Sequence, residues 1–293
     1  MGKFYDLMDR ELRIRGFAES TRISYLERMR SLVRHFRKPP DQLGPEEVKQ
    51  YLLFLATQRR LKWSTFNLYV CAFRFFYRQV LRIPWDVRVE IPYQRTGKRL
   101  PVVLSGEEVL KLLDAANTLK HRAILMALYS AGLRVSEALH LRPADIDSQR
   151  MMIRIAQGKG RKDRYVMLSS QLLETLRRYW REERSRERAD TFLFPGRKPG
   201  VPLTRDTVEW AFAAAQRHAG IAKRVSPHSL RHSFATHLLE RGVNIRIIQK
   251  LLGHRSLGST EIYTHVAQTY IRDTKSPLDD LLPEVEEATL PPE

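Results

Sequence analysis

Between Ser226 and Val266 the chain reads SPHSLRHSFATHLLERGVNIRIIQKLLGHRSLGSTEIYTHV, a stretch that holds five of the nine histidines. Its residue types at this spacing suit the handling of a phosphate. His228 and Arg231 stand three residues apart, so on a helix they share one face and address one target. Pro227 fits the first helical turn, where its missing N–H costs nothing, and Ser226 is a candidate N-cap. A helix N-terminus carries partial positive charge and free N–H groups, which hold anions. Asn244 to Leu252 is apolar at helical period through Ile245, Ile248, Leu251 and Leu252. Gly253 ends that helix as a C′ residue and leaves His254 just past it. Tyr263 follows on a short segment flanked by Ile262 and Val266. His228 and His232 stand four residues apart, a spacing that can ligate zinc. The stretch offers only Glu240 and Glu261 as carboxylates beside them, so no metal site is expected.

These residues need a scaffold, and the composition bounds it. The chain has 293 residues, enough for two domains, and is 43% apolar, which makes it globular. Lys and Arg number 51 against 33 Asp and Glu, a net charge of +18 that calls for a polyanionic partner: nucleic acid first, an anionic membrane second. Arg dominates over Lys, as paired contacts to phosphate favour. The single cysteine, Cys71, excludes disulfides and Cys-based zinc sites and reads as a small core hydrophobe. Met1 to Arg15 is charged and amphipathic rather than a signal peptide, and no run approaches the roughly 18 apolar residues of a membrane span. A cytoplasmic, nucleoid-associated protein without membrane contact is expected.

Residues 1–88 read as a helical bundle. Helices are predicted from Phe4 to Ile14, from Ser20 to Phe36, from Pro45 to about Thr57 and from Ser64 to Leu81, with breaks near Gly16 and at Pro39-Pro40. The last carries an aromatic stripe at helical period (Phe66, Tyr69, Phe73, Phe75, Phe76, Tyr77), which marks it as core rather than a platform for stacking bases. Basic residues between the apolar positions give the bundle a cationic outer face. Residues 89–104 contain Pro92, Gly97 and Pro101 with Arg95, Lys98 and Arg99, and the whole of 87–104 lacks a helical period. They read as an extended basic linker laid along a phosphate backbone. Ser105 with Glu108 forms a capping-box pattern at the start of the second domain, 105–275. His121 to Ala131, almost continuously apolar, is a central core helix ended by Gly132. Met151 to Ala156 and Arg164 to Leu168 alternate as two strands of a β-hairpin, whose tip carries Lys159, Arg161 and Lys162. Gln171 to Glu187, dense in Arg and Glu, reads as a solvated outer helix, and Thr204 to His218 as a further helix. Residues 276–293 carry six acidic side chains and no basic one. Taking those six negative charges away from the net +18 leaves +24 on the remainder.

Five pieces together resemble the signature of the tyrosine site-specific recombinases, the Xer and phage-integrase type. They are Ala131-Gly-Leu-Arg134-Val-Ser-Glu137-Ala-Leu139, Gly158-Lys159-Gly160, His228-x-x-Arg231, Leu252-Gly253-His254 and Tyr263-Thr264-His265. His-x-x-Arg alone is weak; the set in this order is specific. The resemblance implies a mainly α fold: an N-terminal SAM-like core-binding bundle that clamps one side of a duplex, then a mixed α/β catalytic domain with a small antiparallel sheet. It implies that Arg134 contacts the scissile phosphate, that Glu137 supports the site from behind, and that Lys159 stands at the leaving group. It also implies double-stranded DNA as partner, and a homo-oligomer, a tetramer on paired sites, or a related recombinase protomer. C-terminal segments of the family often pack onto the adjacent protomer, so the acidic tail reads either as a short docking helix of that kind or as a frayed end.

Cutting and rejoining a phosphodiester requires a nucleophile at phosphorus, cations for the phosphoryl oxygens and a proton for the departing alkoxide. On the implied assignment Tyr263 is the nucleophile and becomes a 3′-phosphotyrosine, which conserves the bond energy so that no ATP is needed. Arg134 and Arg231 offer paired N–H donors to the non-bridging oxygens, and His254 adds another. His228 is a candidate base or proton shuttle, with an unperturbed pKa of about 6.5. Lys159 is the candidate acid, and since a free lysine near about 10.4 is a poor acid, its neighbours are expected to depress it. No cofactor and no metal are called for. The competing readings are a non-catalytic DNA-binding protein and a type IB topoisomerase. Within the family, the short connection from Arg181 to Phe194 disfavours the integron integrases, which carry an extra helix in the catalytic domain. A Xer-like or mobile-element recombinase, serving dimer resolution or integration and excision, is expected.

Overall fold

The computed structural model describes residues 2–84, 86–94, 100–156, 163–183, 192–198 and 200–264. The chain divides into two compact units, Met1–Lys98 and Arg99–Glu293.

In the first unit, α1 (Gly2–Ile14), α2 (Glu19–Phe36), α3 (Pro45–Thr57) and α4 (Trp63–Phe75) follow the predicted periodicity. They enclose one core that includes Met8, Leu12, Leu32, Val48 and Phe73. Helix α2 begins one residue before Ser20, capped at Ala18 without a side-chain bond. Helix α4 does not run on to Leu81. It passes into a π-helical turn, Phe76–Val80, whose wider winding turns the adjacent Phe76 and Tyr77 both inward, each 1% exposed. The Tyr77 hydroxyl donates to the Pro40 carbonyl at 3.2 Å. The aromatic stripe is thus core at Phe66, Phe73, Phe76 and Tyr77.

The segment expected to be wholly extended starts with a helical turn, α5 (Val87–Glu90), capped by Asp86, whose carboxylate accepts from the Arg88 N–H at 2.8 Å. Val87 and Ile91 are buried in the first core. Arg74 of α4 donates to the carbonyls of Ile91 and Arg88, and Asn67 exchanges two hydrogen bonds with the backbone of Gln94. At the far end Leu104 is fully buried in the second core, its N–H bonded to Ser233 Oγ at 2.9 Å. The expected linker 89–104 is therefore seated in a core at each end. Periodicity could not reveal this, because single buried residues at Val87, Ile91 and Leu104 set no repeat.

The second unit is built on α7 (Leu119–Ser130), which buries Ala123, Ile124, Leu125, Ala127 and Leu128. Before it comes α6 (Gly106–Asp114), started by the predicted capping box: Ser105 Oγ accepts from the Glu108 N–H, and Glu108 accepts from the Ser105 N–H. After it come α8 (Val135–Leu139) and a three-stranded antiparallel sheet, β1 (Ile146–Asp147), β2 (Met152–Ile155) and β3 (Arg164–Met167). Strand β1 is too short for alternation to announce it; Ile146 pairs with Ile153. In the hairpin Ile153 faces Val166 across the pair, and both are buried. Helix α9 (Ser170–Glu183) is solvated on its outer side only: Leu172, Leu176 and Tyr179 sit in the core. The density of Arg and Glu hid a clean apolar stripe at i, i+4 and i+7. The last helices are α10 (Arg205–His218), α11 (Pro227–Glu240) and α12 (Ile245–Leu252), and a 3-10 turn, Glu261–Tyr263, follows.

Candidate active site

Two tight helix ends build the site. Helix α7 stops at Gly132, whose φ of +59° lies in the left-handed region and where an added Cβ would lie 2.4 Å from the Phe234 ring. The turn aims the Gly132 carbonyl at Arg231 and starts α8 with Arg134 as its N-cap residue. Helix α12 ends at Gly253, φ +61°, with the His254 N–H returning to the Gln249 carbonyl and the Gly253 N–H to that of Lys250. This places His254 beside the last carbonyls of α12, as its position after glycine predicts.

Those carbonyls gather three arginines. Arg231 donates to Leu252 O at 2.5 Å and to Gly132 O at 2.6 Å. Arg164 donates to Leu251 O at 2.9 Å, and Arg134 reaches Gly253 O at 3.5 Å. The negative end of a helix is a natural seat for cations. Glu137 supplies the balancing charge. Its carboxylate accepts from the Arg134 N–H (2.8 Å), the Arg134 guanidinium (2.6 Å) and both terminal nitrogens of Arg164 (2.9 and 2.8 Å), and lies 3.7 Å from Arg231. Burial raises the Glu137 pKa, but the Arg164 fork, the Arg134 N–H and the two positive charges overcome it and hold the pKa at about 2. Arg231 is 1% exposed. Burial and then the nearby Arg134 charge lower its pKa to about 10, which still leaves it charged at neutral pH.

The remaining groups surround this cationic centre. Burial, followed by Arg231 and Arg134, lowers His254 to about 4, so it is neutral at pH 7; its Nδ1 is 3.0 Å from Thr260 Oγ1. His228 lies at the start of α11, open to solvent on one side. Desolvation and then Arg231, Arg134 and Arg205 lower its pKa. Ser226 is the N-cap residue of α11 but makes no side-chain cap. Instead Ser229 Oγ accepts from the Ser226 N–H at 3.1 Å. Tyr263 is 2% exposed, packed among Phe234, Ala235, Leu239, Ile248 and Leu252. Burial raises its pKa, against the lowering pull of Arg231 and Arg134.

Arg134, Glu137, His228, Arg231, His254 and Tyr263 therefore meet at one place. Lys159, Arg161 and Lys162 at the hairpin tip and Arg95, Lys98 and Arg99 in the linker lie outside the described residues, as does the acidic tail. Three residues of the site escaped sequence reasoning. Arg164 looked like the first residue of a strand; its one signal was a charge at an inward-alternating end. Thr260 gave none beyond standing three residues before Tyr263. His232 stood out only as a possible zinc partner of His228, yet its Nδ1 lies 3.0 Å from Tyr263 Oη. Its ring meets that of His228 edge to face at 4.5 Å. Among the described residues no group of three or more His, Cys, Asp or Glu is placed to hold a metal ion.

Residues 102–269 match the phage integrase family, and residues 4–87 match the N-terminal SAM-like domain of phage integrases. The chain belongs to the phage integrase family. It is an enzyme of the tyrosine recombinase type. Within this family, the chain is 46% identical over 276 residues to a putative integrase/recombinase of Sinorhizobium fredii, covering 94% of this chain and 88% of that protein. It is 40% identical over 234 residues to tyrosine recombinase XerA of Thermococcus onnurineus, covering 78% and 81%. Among solved structures, that of a XerA recombinase is 30% identical with a TM-score of 0.55, covering 93% of this chain and 96% of that one. The Tn1549 transposon integrase, in complex with transposon right-end DNA, shares the fold at 19% identity and a TM-score of 0.71, covering 92% and 97%. Among the described residues no helix is long and apolar enough to cross a membrane.

Proposed function

We propose that the chain is a site-specific DNA recombinase that cuts and rejoins double-stranded DNA through a 3′-phosphotyrosine at Tyr263, in dimer resolution or in integration and excision of a mobile element. The observation that carries this is the convergence of a buried tyrosine hydroxyl with two guanidinium groups whose positions are fixed by helix-end carbonyls and by Glu137. Guanidinium groups held before the substrate arrives stabilise the charge on phosphorus without reorganising, the largest catalytic contribution available to a site of this kind. Arg134 and Arg231 take the non-bridging oxygens, and neutral His254 donates a further hydrogen bond. His228, at the mouth, exchanges protons with solvent. Lys159 protonates the 5′ oxygen, and Arg95, Lys98, Arg99, Arg161 and Lys162 follow the DNA backbone. Four protomers, of this chain or with a related recombinase, act on two paired sites. The neighbours with DNA in their structures, among them the Tn1549 integrase, support DNA as the substrate class. The protein acts at the nucleoid.

The test is covalent trapping in the host, with sequencing of the DNA recovered on the protein. The wild-type chain is expected to give an SDS-stable adduct at a discrete site, formed equally well in EDTA. Tyr263→Phe is expected to bind that DNA and form no adduct. An adduct that survives in Tyr263→Phe sinks the assignment, and loss of wild-type adduct in EDTA sinks the metal-free chemistry. Relaxation of supercoiled DNA with no site requirement points instead to a topoisomerase.

A further inference from the structure

The nucleophile needs somewhere to send its proton. Tyr263 Oη has one partner at hydrogen-bond distance among the described residues, His232 Nδ1 at 3.0 Å, with the two rings tilted 53° at 5.7 Å between centroids. His232 follows Arg231 directly on α11. Consecutive helical residues diverge by about 100°, so Arg231 turns to Gly132 and the end of α12 while His232 turns to the 3-10 turn that bears Tyr263. One helical turn earlier, His228 packs edge to face on His232 with its outer side in solvent. His232 thus lies between the buried hydroxyl and the His228 ring.

We propose that His232 receives the phenolic proton when Tyr263 attacks. This rests on Tyr263 being the nucleophile. The titratable groups facing His232 are His228 and Arg231 on its own helix, Tyr263 on the 3-10 turn, and His254 beyond the end of α12. Burial, then His228 and Arg231, lower the His232 pKa to about 4, so in the free protein the imidazole is neutral. The phenol, whose own pKa is raised, keeps its proton. The hydroxyl therefore donates and Nδ1 accepts, which puts the ring hydrogen on Nε2. A phosphodiester bound to the arginines neutralises the charges that depress His232 and so makes it a better base when the substrate is in place. In the step itself the Oη–P bond forms, the P–O5′ bond breaks and the phenolic proton moves to Nδ1. The 5′ oxygen takes its proton from a separate donor, Lys159 in the reading above. Religation reverses each transfer.

The probe is the duplex recovered by covalent trapping, made either with its ordinary scissile phosphodiester or with sulfur replacing the 5′-bridging oxygen. Sulfur leaves without needing a proton, so this substrate bypasses the acid but not the base. In single-turnover cleavage Lys159→Ala is expected to recover on the sulfur substrate. His232→Ala and His232→Asn are expected to remain slower by about 10²–10⁴-fold on both substrates. The acid limb of the pH–rate profile is expected to vanish in both His232 variants and to persist in a slowed His228→Ala. Asn accepts a hydrogen bond from the phenol but takes no proton, so it separates a base from a mere latch and remains informative if His232→Ala fails to fold. Cleavage by His232→Asn within about threefold of wild type, or rescue of the His232 variants by sulfur, overturns the proposal. So does an Nδ1–H tautomer for His232 in ¹⁵N-histidine spectra of the free protein, where the Nε2–H form is expected. An adduct formed by Tyr263→Phe overturns the nucleophile assignment and this inference with it. An active His232→Asn beside an inactive Tyr263→Phe overturns this inference alone.

Discussion

Glu137 sets the electrostatic balance at the residue scale. Three guanidinium groups crowd one helix end, and this buried carboxylate takes hydrogen bonds from two of them and an ion pair from the third. Its pKa is about 2 in the folded chain against an ordinary 4.5, so ionisation at this position stabilises the fold by on the order of 3 kcal/mol. For a depressed carboxylate that contribution is complete above the unfolded value and disappears as pH falls from about 4.5 toward about 2. Urea unfolding at pH 7 and pH 3 checks this: the wild-type midpoint should drop more between the two than that of Glu137→Gln. Glu137→Ala, which leaves the arginines uncompensated, should cost about 3–5 kcal/mol at pH 7. If Glu137→Gln shows the same acid loss as wild type, the charge balance lies elsewhere.

At the scale of elements, the C-terminal end of α12 is the joint of the site. Its last carbonyls hold Arg231 from α11, Arg134 from the start of α8 and Arg164 from β3. Arg164 also lies against Gly253, where an added Cβ would come within 3.1 Å of its Cδ, so glycine there serves both the left-handed turn and the approach of the arginine. Arg164 grips Glu137 through both terminal nitrogens while its Nε holds Leu251 O. A lysine keeps the charge but cannot span three acceptors in one plane. Arg164→Lys should therefore lose about 1–3 kcal/mol of stability. It should also form adduct more slowly, through a displaced Arg134 and His254, with the affinity for DNA little changed. Gel-shift and single-turnover assays on the same preparation separate the two effects; a loss confined to binding would mean that Arg164 touches DNA itself.

For the whole molecule the net charge of +18 favours association with a polyanion. Binding driven by phosphate neutralisation should weaken by about 10³-fold or more between roughly 50 and 200 mM salt if six or more phosphates are contacted. Fluorescence anisotropy on the recovered site against salt gives the slope; a flat line would exclude the basic face as the main source of affinity. Among the described residues the site lies in the second unit, Arg99–Glu293.

By itself the sequence determined much of this protein. Helical period set most of α1 to α4 and most of α7, capping residues set the start of α6, and Gly253 set the end of α12, because these depend on neighbours within a few positions. His228, Arg231, His254 and Tyr263 stood out as types at fixed spacing, whereas Arg134 was singled out only by the family resemblance. Only the tertiary structure decided what they rest on. Arg164 and Glu137 stand 27 residues apart, and His232 and Tyr263 stand 31 apart. No local pattern links residues at such distances; chain reversals between helices bring them together. Sequence spacing reports which faces a helix presents, whereas a hydrogen bond across elements depends on how those faces pack. That packing turned a suspected zinc ligand into the partner of the tyrosine hydroxyl.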